Sequence, residues 1–211
     1  MARSFRKEIK EPDSFHVYAE KITLWYQANT KPVLALAAVL LVSFGAFFGY
    51  RAWKNHIKEQ SGIALAIAQT EDALRKAADN YPGTKAGAIA RLRLAMLLRT
   101  RGAHKESEKE YHRLLNTGGI AEMDRELAKR GLAGTLSLQG KCAEAIPIWK
   151  KILYNGSLLT PEDLYIYVGS CLEETGKRAD ALKTYEELIQ KYPRSPFITP
   201  QLRARMNVLG K

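Results

Sequence analysis

The chain has 211 residues with 46% hydrophobic and 26% charged residues, and its 33 lysines and arginines against 22 acidic residues give a net charge of +11. Roughly 160 residues beyond the apolar segment described below suffice for one domain with its own core and without disulfide staples, and the two cysteines fit either a reducing or an oxidising compartment. The positive charge favours acidic partners. A solvated basic face near anionic lipid headgroups explains the charge better than nucleic-acid binding, because no base-stacking or recognition-helix pattern is found.

Residues 1–31 are predicted to form a tail that precedes a membrane anchor. Residues 1–12 are charged and poor in apolar groups, which predicts disorder. Asp13 or Ser14 can cap a helix that begins there. The apolar residues of this helix recur at three- and four-residue steps: Phe15, Tyr18, Ile22 and Trp25. The helix is interpreted either as an interfacial segment on the membrane surface or as a short helix that continues toward the anchor.

A single membrane-spanning helix is predicted over residues 32–53. No acidic or basic side chain occurs from Pro32 to Tyr50, and at about 1.5 Å per residue this stretch spans roughly the 30 Å hydrocarbon core of a bilayer. It is longer than a signal-peptide core of about 7 to 15 residues, so we expect retention rather than cleavage. Aromatic side chains flank both ends, where the two headgroup layers would lie: Trp25, Tyr26, Tyr50 and Trp53.

The anchor has a glycine pair that could contact another membrane helix, and its flanking charges indicate its orientation. Gly45 and Gly49 have the small-xxx-small spacing that lets membrane helices touch; the alternative is that glycine is simply tolerated there. Lysine and arginine are somewhat more numerous before the anchor than close after it, so the flanking charges weakly favour a cytoplasmic N-terminus.

A helical stalk is predicted over residues 54–84. From Arg51 to Asn80 there is no proline, and only Gly62 interrupts an apolar stripe of helical spacing. The spanning helix is therefore expected to continue without a break through this region. It should stop in the segment 81–84, because proline cannot continue the hydrogen-bond ladder and restrains the residue before it.

Residues 85–211 are predicted to form an all-α solenoid of helical hairpins with a capping helix at its C-terminal end. Residues 140–146 (GKCAEAI) align with residues 176–182 (GKRADAL) at an offset of 36 residues. Around the second copy, seven residues occupy the signature positions of a 34-residue unit that starts at Glu162: Tyr165, Gly169, Leu172, Ala181, Tyr185, Leu188 and Pro193. This pattern resembles a tetratricopeptide repeat, in which small residues let two helices approach and large ones fill the space between repeats.

Two earlier copies of the repeat are degenerate. The middle copy has Lys129 at the first aromatic position but keeps five others: Ala133, Leu136, Ala145, Trp149 and Ile152. The first copy has Arg91 at the aromatic position and Ser107 at the alanine position, and it keeps four others: Ala95, Leu98, Tyr111 and Leu114. Because a stacked array leaves its last apolar face open, residues 200–209, capped by Thr199, are expected to close it.

A partner-binding surface is predicted on the concave face, which the first helix of each repeat lines in tetratricopeptide geometry. This surface is mixed apolar and basic: Leu92, Arg93, Met96, Arg99, Leu127, Arg130, Leu138, Ile166, Ser170 and Glu173. It suits an extended segment with hydrophobic side chains and some acidic character. The alternative is that several of these residues only cover neighbouring helices. The lysine and asparagine clamp that some tetratricopeptide proteins use for a C-terminal carboxylate is not reproduced, so recognition of a terminal carboxylate is not predicted.

Enzymatic activity, a cofactor and a metal site are not predicted, because the sequence has no nucleophile elbow, phosphate-binding glycine loop or metal-ligand pair at helix spacing. Cys142 and Cys171 fall on helices that should pack side by side, so a disulfide is conceivable. Two separate buried thiols are favoured, because cysteine commonly behaves as a compact apolar residue.

The layout from Trp25 through the stalk resembles that of the YfgM-like bacterial proteins, which are ancillary subunits of the SecYEG translocon. The residues that carry the likeness are Asn29 and Lys31 before the anchor, residues 49–53 (GYRAW) closing it, and Asn55 and His56 beyond. The resemblance implies a bacterial inner-membrane protein that spans the membrane once, with a cytoplasmic N-terminus and a periplasmic repeat domain. Family members are associated with the membrane-anchored periplasmic chaperone PpiD and with client handling at the outer side of the translocon.

The leading hypothesis is therefore a single-pass inner-membrane scaffold whose periplasmic repeats bind a chaperone or emerging secreted chains near the translocon. The expected partners are translocon subunits, a PpiD-like chaperone or secreted clients, together with the lipid bilayer; nucleic acid is not expected. The alternative is a self-associating scaffold for cell-envelope assembly without translocon contact, held together by the Gly45 and Gly49 face and by the solenoid ends. The strongly basic repeat domain and the interfacial segment depart from the family pattern.

Overall fold

The computed structural model describes residues 14–211 of the chain, and over this range it contains ten α-helices and no strand. The predicted all-α class is confirmed. The expected disorder of residues 1–12 and the cap at Asp13 lie outside the described residues. The helices are α1 Ser14–Ala28, α2 Thr30–Ile67, α3 Glu71–Asn80, α4 Lys85–Thr100, α5 His104–Leu115, α6 Glu122–Leu138, α7 Cys142–Asn155, α8 Glu162–Glu174, α9 Arg178–Lys191 and α10 Pro200–Leu209. Contacts divide the chain into two units, Met1–Asn55 and His56–Lys211.

In the first unit, α1 leads into α2 through the single residue Asn29. The Asn29 amide donates to the Trp25 carbonyl at 3.0 Å, and the Val33 amide donates to the Asn29 carbonyl at 3.1 Å. The Asn29 side chain adds a third bond, from its amide nitrogen to the Trp25 carbonyl at 2.9 Å. Helical hydrogen bonding therefore continues across the junction, which favours the interpretation of α1 as a helix that runs on toward the anchor.

Helix α2 is a candidate membrane span by its length and composition. It has 38 residues, and its most apolar stretch has a mean hydropathy of 2.2 with none of that stretch buried in the protein. Large apolar side chains point outward along it; Leu41 is 74% exposed and Val42 70% exposed. Pro32 is the third residue of α2.

The predicted unbroken helix through Asn80 is wrong, because α2 ends at Ile67 and α3 begins at Glu71. The hydroxyl of Thr70 accepts a hydrogen bond from the Ala73 amide at 3.2 Å and so caps α3. Glu71 and Asp72 follow in the first turn, where negative charge is favoured by the helix dipole. This cap signal outweighs the lack of proline or glycine in the break. The predicted stop before Pro82 is confirmed, since α3 ends at Asn80.

The segment predicted as a stalk also takes part in the packing of the second unit. Helix α3 packs along α4, and its buried Leu74 and Ala78 join a small apolar cluster with Leu94 and Leu98 of α4. Gly87 at the start of α4 is required by this arrangement, because a Cβ there would collide with the carbonyl group of Tyr81. The solenoid packing therefore begins before residue 85.

Three antiparallel hairpins follow, formed by α4 with α5, α6 with α7, and α8 with α9. The residues of the third repeat behave as the tetratricopeptide pattern predicts: Gly169 leaves space that the Tyr185 ring fills, and a Cβ at Gly169 would overlap that ring. The turns inside the last two hairpins place Gly140 at φ 73° and Gly176 at φ 76°. These left-handed backbone angles favour glycine, which explains the glycine that opens both copies of the aligned motif.

The degenerate first repeat has polar contacts at the two positions that depart from the pattern. Arg91 is only 8% exposed, and its guanidinium bonds Glu110 at 2.6 Å and Asp79 at 2.8 Å. The hydroxyl of Ser107 donates to the Ala95 carbonyl at 2.8 Å. A buried ion pair thus replaces the aromatic residue of the pattern, which keeps the hairpin intact.

The C-terminal helix α10 closes the array. Thr199 caps it by accepting a hydrogen bond from the Leu202 amide at 3.2 Å, as the sequence predicts. Leu202 is buried in the main core, and Met206 and Leu209 pack against that core. The last apolar face of the solenoid is therefore covered by residues of the chain itself.

The two cysteines form a disulfide, so the preferred interpretation as separate thiols is wrong. Cys142 is the first residue of α7 and Cys171 lies in α8, and their Cα atoms are 5.1 Å apart. The packing of α7 against α8 brings them within the usual bridging range of about 4.4 to 6.8 Å. The bridge therefore joins the second repeat to the third.

Candidate functional site

A cavity of about 410 Å³ opens along helices α4, α6 and α8, and we call it the groove. It is formed mainly by the first helices of the three repeats, which is the face predicted for partner binding. Half of the ten predicted partner-binding residues line it: Met96, Arg99, Leu127, Arg130 and Leu138. The structure also brings Tyr111, Trp149, Asp163 and Tyr167 to the groove, which the sequence did not single out for binding.

The rim of the groove is apolar and open to solvent. Leu138 is 60% exposed, Met96 46% and Tyr167 47%. The Tyr167 ring stacks on Trp149 with ring centroids 5.4 Å apart, so its position is supported by a buried neighbour. Several exposed apolar side chains around one concave surface are typical of a site that binds another protein segment.

The other five predicted residues lie elsewhere. Leu92 is buried in the main core, so its assignment to the binding face is corrected. Arg93 is exposed on α4 but does not line the groove, and Ser170 is partly buried on α8. Ile166 lines a second cavity of about 270 Å³ beside α10. Glu173 is occupied by hydrogen bonds within the chain, described below.

Arg130 lines the groove, but its charge is compensated within the chain. Its guanidinium bonds Glu126 at 3.0 Å and Asp163 at 2.9 Å, and it also donates to the Ser157 hydroxyl at 2.8 Å. Burial acts to raise the pKa of Glu126, but hydrogen bonds from Ser157, the Leu158 amide and Arg130 outweigh it and lower that pKa. Arg130 therefore ties α6 to the start of α8 and adds little free positive charge to the groove.

Arg99 is a different kind of cation in the groove. It is partly buried on α4, and Nη1 lies 3.0 Å from the place that a Cβ on Gly134 would take. Glycine at that position of α6 thus makes room for the guanidinium. Within the part of the chain whose side chains are described, no carboxylate lies within ion-pair distance of Arg99.

Tyr111 supplies a polar atom at the base of the groove. Its side chain is fully buried and lies against Gly131 of α6, where a Cβ would overlap the end of the tyrosine ring. Its hydroxyl has no hydrogen-bond partner among the described residues. Burial raises the pKa of Tyr111, and the nearby Arg99 charge opposes that rise. A buried hydroxyl without a partner is costly, so its persistence needs an explanation.

The equivalent tyrosine of the third repeat has its partner. The Tyr185 hydroxyl donates to Glu173 Oε1 at 2.7 Å, and Arg205 Nε donates to Glu173 Oε2 at 2.9 Å. Burial raises the pKa of Tyr185, and the hydrogen bond to Glu173 raises it further. One carboxylate is thus held between a tyrosine hydroxyl and an arginine.

Within residues 17–211, one group of three side chains has its possible metal-ligand atoms close together. Cys142, Cys171 and Glu174 lie close enough together to share an ion. The two sulfurs are joined in the disulfide, and a metal-binding cysteine must be a free thiolate. We therefore assign no metal centre to this group.

Comparison with known proteins agrees with the helical hairpins. A family model described as a tetratricopeptide repeat-like domain matches residues 24–211, which includes the long apolar helix as well as the repeats. None of the curated proteins compared with the chain matches it. Domains of this kind serve as scaffolds for protein–protein interaction and are typically not enzymes. Because the match covers most of the sequence, the chain belongs to the tetratricopeptide repeat-like domain family.

Proposed function

We propose that the protein is a single-pass scaffold of the bacterial inner membrane whose repeat domain lies in the periplasm and binds a chaperone or emerging secreted chains near the SecYEG translocon. The observation that carries the binding role is the groove along α4, α6 and α8. The translocon and the PpiD-like chaperone enter through the resemblance to the YfgM-like proteins. No enzymatic step is part of the proposal.

The groove supports binding of an extended segment better than binding of a folded domain. A volume of about 410 Å³ accommodates a few side chains of a peptide. Met96, Leu127 and Leu138 offer apolar contacts along its length, each at least 37% exposed. Burying these side chains on binding is favourable by roughly 25 cal/mol for each Å² of apolar surface removed from water. Chains that emerge unfolded from a translocon would expose segments of this kind.

Three observations support the proposed location. Helix α2 is long and apolar enough to cross a membrane. The disulfide between Cys142 and Cys171 belongs in an oxidising compartment, which the periplasm is and the bacterial cytoplasm is not. The weak excess of basic residues before the anchor points the same way.

In-cell photocrosslinking tests the proposal. A photoreactive residue placed at Leu138 of the full chain samples the groove, and one at Tyr154, 54% exposed on α7 and outside the groove, is the matched control. We expect translocon subunits, a membrane-tethered chaperone or nascent secreted chains from position 138 and much less of them from position 154. Recovery of only further copies of this chain would replace the proposal with the self-associating scaffold, and recovery of cytoplasmic proteins alone would overturn the orientation.

A further inference from the structure

We propose that the groove holds a carboxylate of its bound segment between the Tyr111 hydroxyl and the Arg99 guanidinium. The preferred partner is then an extended peptide in which an acidic side chain is flanked by apolar ones. This inference rests on the proposed function, because it names the chemistry of the segment that the groove binds.

The first argument is that both groups are incomplete in the chain alone. The buried Tyr111 hydroxyl has no hydrogen-bond partner among the described residues. Arg99 has no carboxylate at ion-pair distance within the same described part of the chain, whereas Arg130, the other arginine of the groove, has two. A carboxylate accepts hydrogen bonds from both a hydroxyl and a guanidinium, so a single acidic group would satisfy both.

The second argument is proximity. The Tyr111 hydroxyl lies against Gly131, and Arg99 Nη1 lies against Gly134. These two glycines are three residues apart on α6, so they are neighbours on one helix face, about 5 to 6 Å from each other at their Cβ positions. Both side chains also line the groove. A carboxylate in the groove over this face of α6 would lie near both donors, and its contact with the buried Tyr111 hydroxyl requires the side chains of the lining to move on binding.

The third argument is that a tyrosine hydroxyl and a guanidinium share one carboxylate in the third repeat. There, the Tyr185 hydroxyl and the Arg205 guanidinium hold the Glu173 carboxylate. Tyr111 occupies the position of Tyr185 in the 34-residue pattern, and Arg99 occupies the position of Glu173. In the first repeat an arginine therefore replaces the acid beside the tyrosine, so this pair contains hydrogen-bond donors and no acceptor carboxylate.

The surroundings favour a peptide over a simple anion or a polyanion. Met96 and Leu127 lie beside Arg99 in the lining of the groove and offer contacts for apolar side chains on either side of the acid. Arg130 is compensated by Glu126 and Asp163, so one uncompensated cation remains in the lining. One cation matches one carboxylate, whereas a nucleic acid would require a row of them.

Binding of two short synthetic peptides to the full chain in detergent micelles tests the inference. Both peptides have blocked ends; one alternates leucine with aspartate, and the other alternates leucine with asparagine. Fluorescence anisotropy of a dye on each peptide reports the dissociation constant. We expect the aspartate peptide to bind roughly tenfold or more tightly, because hydrogen bonds to a charged group are among the strong ones.

Variants then separate the two donors from the general positive charge. Tyr111→Phe and Arg99→Gln should each weaken binding of the aspartate peptide by roughly tenfold and weaken binding of the asparagine peptide by a clearly smaller factor, because its amide oxygen is an uncharged acceptor. Arg93→Gln removes an equal charge from the same helix outside the groove, and Tyr154→Phe removes an exposed hydroxyl from α7. Both controls should bind the aspartate peptide as the native chain does.

The contrary outcomes are distinct. Equal binding of the two peptides, unchanged by Tyr111→Phe and Arg99→Gln, would overturn the carboxylate site and leave the groove as an apolar binding surface. Binding of neither peptide would also overturn it. In both cases the crosslinks from position 138 decide the proposed function separately, because that experiment assumes no particular ligand chemistry.

Discussion

The first and third repeats share one hairpin geometry but differ in how their polar groups are satisfied. In the third repeat Tyr185, Glu173 and Arg205 complete one another. In the first repeat the Tyr111 hydroxyl has no partner among the described residues, and a buried ion pair between Arg91 and Glu110 stands in the place of apolar packing. The comparison shows that a repeat can lose several signature residues and keep its fold. Buried polar groups that have no partner among the described residues are then candidates for a functional role.

The largest expected effect concerns the link between the second and third repeats. Replacing both Cys142 and Cys171 with alanine removes a bridge between residues 29 apart, which should lower the free energy of unfolding by about 3 to 4 kcal/mol in the chain-entropy estimate. Urea unfolding followed by circular dichroism measures it. The unmodified chain in excess reductant is the control, and its free energy of unfolding should fall by the same amount. If reductant left the free energy of unfolding unchanged, the disulfide would be contradicted.

The second prediction breaks the polar core of the first repeat. Arg91→Met leaves the buried Glu110 carboxylate with two more exposed partners, Arg113 at 2.9 Å and Arg75 at 3.6 Å, so we expect a loss of about 1 to 3 kcal/mol in the same urea experiment. Arg93→Met on the exposed face of α4 is the matched control, with an expected change within about 0.5 kcal/mol. Adding Glu110→Met to Arg91→Met should recover most of the loss. Equal stability of the single variant and the native chain would show that the ion pair is dispensable.

The third prediction compares the two tyrosines directly. Tyr185→Phe removes a hydrogen bond to the Glu173 carboxylate and should destabilise the chain by about 1 to 2 kcal/mol. Tyr111→Phe removes a buried hydroxyl that has no partner in the described chain, so stability should be unchanged or slightly higher in the same measurement. Equal destabilisation by both substitutions would mean that the Tyr111 hydroxyl is satisfied within the protein.

The smallest expected effect concerns the second repeat, between the first and the third. Its contribution to the stability of the folded chain should depend on pH. The pKa of Glu126 is lower in the folded chain than its ordinary value of 4.5, so its ionised form contributes stability above pH 4.5 that is lost as pH falls through the folded pKa. Stability measured by urea unfolding should therefore fall as pH drops below 4.5. Glu126→Gln should flatten that fall, and an unchanged slope would show that other carboxylates cause it.

Much of the repeat architecture could be predicted from sequence because it depends on regular spacing. The 34-residue pattern assigned Gly169 to the close approach of two helices, and a Cβ there would indeed overlap a neighbouring ring. Thr199 was recognised as the cap of α10, which is confirmed. The break at residues 68–70 was missed because an absence of proline was given more weight than the cap signal of Thr70 followed by two acidic residues. That signal was present in the sequence.

The site was only partly predictable, because spacing places a residue on a helix face but does not choose its partner. The pattern brought Met96, Arg99 and Leu138 to the groove. It also assigned Leu92 there, although Leu92 turns into the core. Arg130 and Arg99 looked equivalent in the sequence, but Asp163 lies 2.9 Å from Arg130 and compensates it.

The sequence by itself determined the helices, the apolar candidate membrane span and the repeat, because each depends on the periodicity of side chains close together along the chain. Tertiary structure decided which groups meet: Cys142 with Cys171, Arg91 with Glu110, and the Tyr111 hydroxyl with none of the described residues. These outcomes depend on distances of a few ångströms between residues far apart in the sequence, because hydrogen bonds and covalent bridges form only within narrow geometric limits.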